Sequence, residues 1–242
     1  MLATVAQLKA RYGITGETDD EALEQMLIGV SDMLGRATGR VWAGEACLEL
    51  AERTQRFSPE AGQSAIFLQA RPVVEISEVT EALFGAFDDA EALVEGDDFY
   101  EDNGALIRIG TWLSGIGTVE VAYKGGYTPP DVAVADDYEA WGSTTAYVAG
   151  DLVTSGGFTY ECVEAHTSGE TFDAEKWQRN YLLPADLTEA ALQQAGYFWQ
   201  RRSALGMSGA GAGQGGSFSA YAQDDLLPGV QAIVARYRSF MG

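Results

Sequence analysis

The chain has 242 residues, 46% of them apolar, with 15 Lys and Arg against 36 Asp and Glu and a formal net charge of -21. So acidic a surface repels phosphate and gains nothing by releasing counterions, which argues against tight nucleic-acid binding, while the apolar content is that of an ordinary globular protein rather than a disordered one. There is no apolar run of the roughly 18 residues that a membrane helix needs, and the start, Met1-Leu-Ala-Thr-Val-Ala-Gln-Leu-Lys9, is amphipathic, so neither a membrane span nor a signal leader is expected.

The first predicted element is a short helix from Val5 to Tyr12, closed by Gly13. Asp19 and Asp20 offer N-caps for a longer one, whose Leu23, Met26, Leu27, Val30, Met33 and Leu34 form a single buried stripe, with Gly39 at its end. The Met residues belong to that core, since no His or Cys stands beside them. Between Cys47 and Tyr127 the pattern turns to short alternating or β-branched runs: Leu48 to Leu50, Arg53 to Phe57, Ala65 to Gln69, Val73 to Val79, Leu106 to Ile109 and Thr118 to Tyr123. These predict small antiparallel sheets or hairpins. The acidic segment Phe87 to Asp98 reads as a surface loop, and it lacks the spacing of a calcium-binding loop. Pro184 to Leu205 predicts a helix with Pro near its first position, Asp186 and Glu189 in the first turn and Arg201-Arg202 in the last. Tyr197, Phe198 and Trp199 give it a wide aromatic face. A Gly/Ala/Ser tract from Gly206 to Ser217 reads as a flexible linker and has no phosphate-loop signature. Last comes a short helix, Pro228 to Phe240, with Val230, Ile233, Val234, Tyr237 and Phe240 along one side and Arg236 and Arg238 near its end. Tethered by that linker, it is the obvious docking element.

Residues 138 to 180 have a different aromatic and glycine pattern, and the sequence reads sensibly if they are lifted out. The strand and Gly-Gly turn of Thr118 to Tyr127 then run directly into the helix opening at Leu183-Pro-Ala-Asp-Leu187. The expected organisation is a discontinuous domain of residues 1–137 and 181–242, its C-terminal arm and helix spanning 206–242, carrying an inserted module at 138–180. The expected fold class is α+β: a helical core with short antiparallel β elements, interrupted by a small all-β module. Cys47 and Cys162 lie on different sides of the boundary, so no disulfide framework is expected. Any nucleophilic scheme must use His166, the only histidine. Cys162 lies four residues before it, on the same face if the segment is a strand, and the pair reads as a buried small residue and a turn histidine. No catalytic residue, metal or cofactor is expected, and the chain does not read as an enzyme.

Two resemblances follow from the residues. The helix of Asp19 to Thr38, Val41-Trp42, Thr54-Gln-Arg-Phe57, the "LxxRPVxxI" strand Leu68 to Ile76, Val119 to Gly126, the "LPxDLxxAxLxxAxxxxxRR" helix from Leu183 to Arg202 and Leu227-Pro-Gly-Val to Tyr237-Arg occur in this order. In that order they resemble the head-tail connector (adaptor, head-completion) family of long-tailed phages and related gene-transfer particles, over roughly residues 3–130 and 181–241. Within the insert, Trp141, Tyr147, Gly150-Asp151, Val153, Gly157, Tyr160, Cys162, His166-Thr-Ser168, Phe172 and Trp177 match the "W-x5-Y-x2-G-D-x-V-x3-G-x2-Y" pattern. That pattern is similar to small chitin-binding-like modules of the type V/XII carbohydrate-binding class. Where such modules carry paired exposed aromatics, this chain reads Val163-Glu164-Ala165-His166.

The first resemblance implies a structural virion protein: a homo-oligomeric, dodecameric ring beneath the portal that joins capsid to tail at the head-tail junction, assembled in the host cytoplasm. Its implied partners are the portal protein, a tail or neck (stopper or terminator) protein and further copies of itself. DNA would pass through the lumen without specific binding, which suits the acidic composition. The portal-facing candidates are Phe218, Tyr221, Leu226, Leu227, Val230 and Ile233, continuing through Val234, Tyr237, Arg238 and Phe240. The second resemblance implies glycan contact through Trp141, Tyr147, Tyr160, His166 and Trp177, although so small a module must use most large rings for its own core. Such an insert should sit on the outside of the ring, against capsid or a surface glycan. The alternative function is therefore a glycan-binding adhesin acting through residues 138–180.

Overall fold

The computed structural model describes residues 1–83, 86–88, 90–130, 137–202 and 226–238. The fold is α+β, and the chain divides into two compact units, one of residues 1–39 and 184–242 and the other of residues 40–183.

The first unit is helical: α1 (Val5–Tyr12), α2 (Asp20–Ala37), α3 (Ala185–Arg201) and α4 (Pro228–Val234), the last running into a 3-10 turn, Ala235–Tyr237. Helix α1 starts at a capping box in which Gln7 N donates to Thr4 Oγ1 (3.2 Å) and Thr4 N to Gln7 Oε1 (2.9 Å). It stops at Gly13, whose φ of 64° is cheap only for a residue without Cβ. The predicted stripe of α2 is buried at Leu23, Leu27, Val30 and Leu34, whereas Met26 and Met33 are half-buried at its margins. Helix α3 packs against α1, α2 and α4, burying Leu187, Ala190, Ala191 and Ala195. Its approach to α1 is close enough that a Cβ on Gly196 would lie 1.9 Å from Tyr12 Cζ. Two expected caps differ. Asp19 occupies the N-cap position of α2 but makes no side-chain cap bond, and Asp20 is held instead by Lys9 Nζ at 2.6 Å. Pro184 is the N-cap of α3 rather than a residue of its first turn, since its carbonyl already accepts from Leu187 N (3.0 Å).

The second unit is built of short strands. A hairpin of β1 (Val41–Trp42) and β2 (Glu45–Ala46) precedes two three-stranded antiparallel sheets. One has the order β3 (Ala51–Phe57), β8 (Val119–Gly125), β5 (Val73–Glu81); the other has β4 (Ala65–Phe67), β7 (Ala105–Arg108), β6 (Phe99–Asp102). Between them lies a core of Ile66, Leu68, Val79, Phe99, Leu106, Trp112, Val119 and Val121 with Tyr123. A buried polar relay crosses this core: Tyr123 Oη donates to Gln55 Oε1 (2.9 Å) and accepts from Ala70 N (2.9 Å), while Gln69 N donates to the same Gln55 oxygen (3.1 Å). The predicted strand at Leu48 to Leu50 reduces to one bridge between Glu49 and Tyr127. Strand β6 follows the acidic segment predicted as a loop; polar at Tyr100-Glu-Asp102, it is recruited by β7 through a two-residue Asn103-Gly104 turn at φ 52° and 85°.

Residues 139–180 contribute β9 (Glu139–Ala140), β10 (Ala146–Tyr147), β11 (Leu152–Ser155), β12 (Phe158–Cys162), β13 (His166–Thr167) and β14 (Trp177–Asn180). Four of these form a sheet in the order β14-β12-β11-β9, and β10 pairs with β13. Gly156-Gly157 turns the β11–β12 hairpin with both φ angles positive. This sheet has its own core of Tyr147, Val153, Cys162 and Trp177, which shares no residue with the larger one. The chain leaves and rejoins the preceding sheets at adjacent points: Thr128 N donates to Tyr181 O (2.8 Å) and Leu183 N to Thr128 O (3.1 Å). Across the junction Gln178 accepts from Lys124 Nζ (3.3 Å) and donates to Glu75 Oε2 (3.0 Å).

Candidate functional site

The rings of the small module pack on one another. Tyr147 and Trp177 meet edge-on at 4.9 Å between centroids, His166 meets Trp177 at 5.3 Å, and Phe172 lies 5.8 Å from Trp141, 4.7 Å from Tyr160 and 5.6 Å from Trp177. Tyr147 Oη accepts from Gly142 N at 2.8 Å, tying its strand to the preceding turn. With 9% and 6% of their surfaces exposed, Tyr147 and Trp177 present no face on which a sugar could stack. Trp141 and Tyr160 are half-buried against the same core, so part of each ring is accessible. In the segment 163–166, Val163 is exposed and His166 half-buried. Sequence reasoning missed the exposed aromatic Phe158. Arg179 covers it, its guanidinium carbon lying 3.7 Å from the Phe158 centroid and 4.8 Å from that of Tyr181. The antiparallel pairing of β12 with β14 sets Arg179 opposite Tyr160, two residues from Phe158 on the same face, and a register of that kind is the signal that could have found this site.

Cys162 and His166 do come together, with Sγ 3.6 Å from Nδ1, but not as a reactive pair. His166 Nδ1 sits 2.7 Å from the Glu164 carbonyl, which fixes that nitrogen as an N–H donor facing away from any role as base toward sulfur. Cys162 Sγ donates to the same carbonyl at 3.1 Å, and burial pushes its thiol above the ordinary range, opposite to the shift a nucleophilic thiolate requires. Glu164 itself pairs with Lys176 at 2.5 Å, and that hydrogen bond lowers its carboxyl. Among the described residues no group of His, Cys, Asp and Glu could hold a metal ion, and no helix is long and apolar enough to cross a membrane.

The candidate docking helix is partly committed to its own unit. Val230 and Val234 are buried, Leu227 N donates to the buried Gln194 Oε1 (3.0 Å), and Asp186 takes Tyr237 Oη (2.5 Å) and Arg236 Nη1 (3.3 Å). Leu226, Leu227, Ile233 and Tyr237 are half-buried and Arg238 is exposed. Phe218, Tyr221 and Phe240, with the Gly206 to Ser217 tract, lie outside the described residues.

Residues 140–180 match carbohydrate-binding module family 5/12. No curated protein matches the chain. Among solved structures, the fold is similar to a chain from the neck of a native GTA particle computed with C12 symmetry, at 15% identity and a TM-score of 0.50, covering 98% of this chain and 89% of that one. It is similar at 15% identity and a TM-score of 0.50 to a chain from the neck of an empty GTA particle computed with C6 symmetry, covering 100% and 91%. A chain from the virion of a native gene transfer agent (GTA) particle gives 16% identity and a TM-score of 0.52 over 100% and 91%. At these identities the likeness is one of fold.

Proposed function

We propose that the chain is a structural component of the neck of a phage-like particle, forming a homo-oligomeric ring beneath the portal that joins capsid to tail and lets DNA pass. The observation that carries this reading is fold similarity over 98% or more of the chain to chains from two GTA particle necks and a GTA virion. Composition supports it: many copies at a net charge of -21 each surround a lumen that repels packaged DNA, so that no position along the passage becomes a trap. The portal contact falls to the C-terminal segment. With Val230 and Val234 turned inward, it would use Leu226, Ile233 and Arg238 together with Phe218, Tyr221 and Phe240. Neck (stopper or terminator) proteins would take the opposite rim. In this reading the protein resides at the head-tail junction after assembly in the host cytoplasm. Deleting the gene should leave filled heads and free tails that never join, and imaging of the intact particle should place the chain as a ring at that junction. Complete particles lacking the protein would overturn the reading.

The family match of residues 140–180 favours a second activity for the module, binding of a surface polysaccharide from the outside of the ring. Trp141 and Tyr160 are the rings with accessible surface there. Chitin or host-surface glycan retained by the wild type and released by Trp141→Ala, with unfolding unchanged, would support it; no retention by the wild type would rule it out.

A further inference from the structure

The register of the β4-β7-β6 sheet sorts its side chains onto two faces. Ile66, Leu106 and Phe99 point into the core, so Ala65, Ile107 and Tyr100, which lie opposite one another, share the other face with Phe67 and Ile109. That face is open: Phe67 is 41%, Tyr100 48% and Ile109 55% exposed. Its charged residues are Asp102 at its edge and, where the pairing continues past the strands, Asp98 opposite Ile109, which is paired with Arg108 at 3.1 Å. The same unit holds a second apolar feature of opposite shape. Ile116 is 93% exposed, the most exposed large apolar side chain among the described residues. It is not loose. Gly115 N donates to Pro59 O (3.1 Å), Gly117 N to Ser58 Oγ (2.9 Å) and Thr118 Oγ1 to Leu113 O (2.5 Å), so the glycines on either side are pinned and the isoleucine is held outward.

We propose that Ile116 of one copy inserts against the Phe67, Tyr100 and Ile109 face of the next, making the head-to-tail contact between subunits of the ring. This rests on the neck-ring reading above, and names the surface by which the ring closes. A closed ring of identical chains needs two different patches per chain that fit each other, which the rigid knob and the flat aromatic face supply. The charge balance points to the same occupant. Two chains at -21 repel, so a contact between them is favourable only where charge is sparse or already paired and apolar area is buried, as at Ile116 and at this face, where Asp98 is neutralised by Arg108. Pinning the knob beforehand also removes the ordering cost that a mobile loop would incur on docking.

Cysteine pairing in the full chain tests the geometry. Cys47 and Cys162 are buried, and the wild type should form no covalent cross-link on mild oxidation. Ile116→Cys and Tyr100→Cys singly should do the same, a mixture of the two should give dimers only, and the double variant should give a ladder of dimers, trimers and higher species. A double variant that fails to cross-link or stops at the dimer, or a Tyr100→Cys variant that links to itself, would overturn the proposal. Ile116→Asp, fully exposed and so without effect on thermal unfolding, should weaken ring assembly by about tenfold or more, the scale of an interface anchor. If that variant enters particle necks as efficiently as the wild type, the knob contact is wrong while the neck reading stands; absence of the wild-type protein from particles would sink both.

Discussion

Tyr123 shows how much one hydroxyl can organise. It joins Gln55 on β3 to the Ala70 amide, and burial pushes its phenol up to about 12. Tyr123→Phe leaves the Ala70 amide unsatisfied and should cost about 1–3 kcal/mol, read from urea unfolding. The pH dependence has a definite sign. A phenol harder to ionise when folded contributes stability that is complete below the unfolded value near 10 and is lost as pH rises toward 12. The wild type should therefore weaken across that window, and Tyr123→Phe should weaken less. In the module, Trp177 is the central ring, touching Tyr147, His166 and Phe172. Trp177→Ala should cost about 3–5 kcal/mol and unfold the module locally, seen as loss of amide protection across β11, β12 and β14. The half-buried Trp141 should cost less when truncated.

At the scale of elements, α4 is instructive because its seven residues are too few to be stable alone. It exists by docking: Val230 and Val234 are buried, Gln194 caps its start through the Leu227 amide, and Asp186 holds its end through Tyr237 and Arg236. Val230→Asp should bury an unpaired charge and release the element, raising amide exchange over residues 228–237 while α2 remains protected. Unchanged exchange there would show that the docking contributes little. The amphipathic pattern of this segment was legible in the sequence, but its destination was not. An apolar stripe records that a face will be covered and not by what, and two of the candidate docking residues are covered by the chain itself.

For the whole molecule, two properties set behaviour. Thr128 and Tyr181 to Leu183 are hydrogen-bonded neighbours, so the path out to the small sheet and back begins and ends at one place. Replacing residues 138–180 by a short flexible linker should then leave the remaining chain folded, at the loss of the Gln178 hydrogen bonds with Lys124 and Glu75. A calorimetric transition that vanishes altogether in this variant would falsify the insertion. The second property is charge. Raising salt from about 20 to 200 mM shortens the screening length severalfold, so association of these acidic chains should strengthen with ionic strength, the reverse of DNA binding. Sedimentation at several salt concentrations would register the trend.

The sequence by itself determined the local and compositional features: α+β class, the stripe of α2, most strand positions, the acidic character and the carbohydrate-binding-module pattern matched over residues 140–180. These depend on periodicity, turn residues and net charge, which are properties of neighbours along the chain. Only the tertiary structure decided that β6 joins a sheet despite its polar residues, which of the module's rings are interior and which keep accessible surface, and that Ile116 stands outward. Burial of a given ring or valine is set by which distant segments arrive against it, and that pairing is a sum over the whole fold that no window of sequence contains.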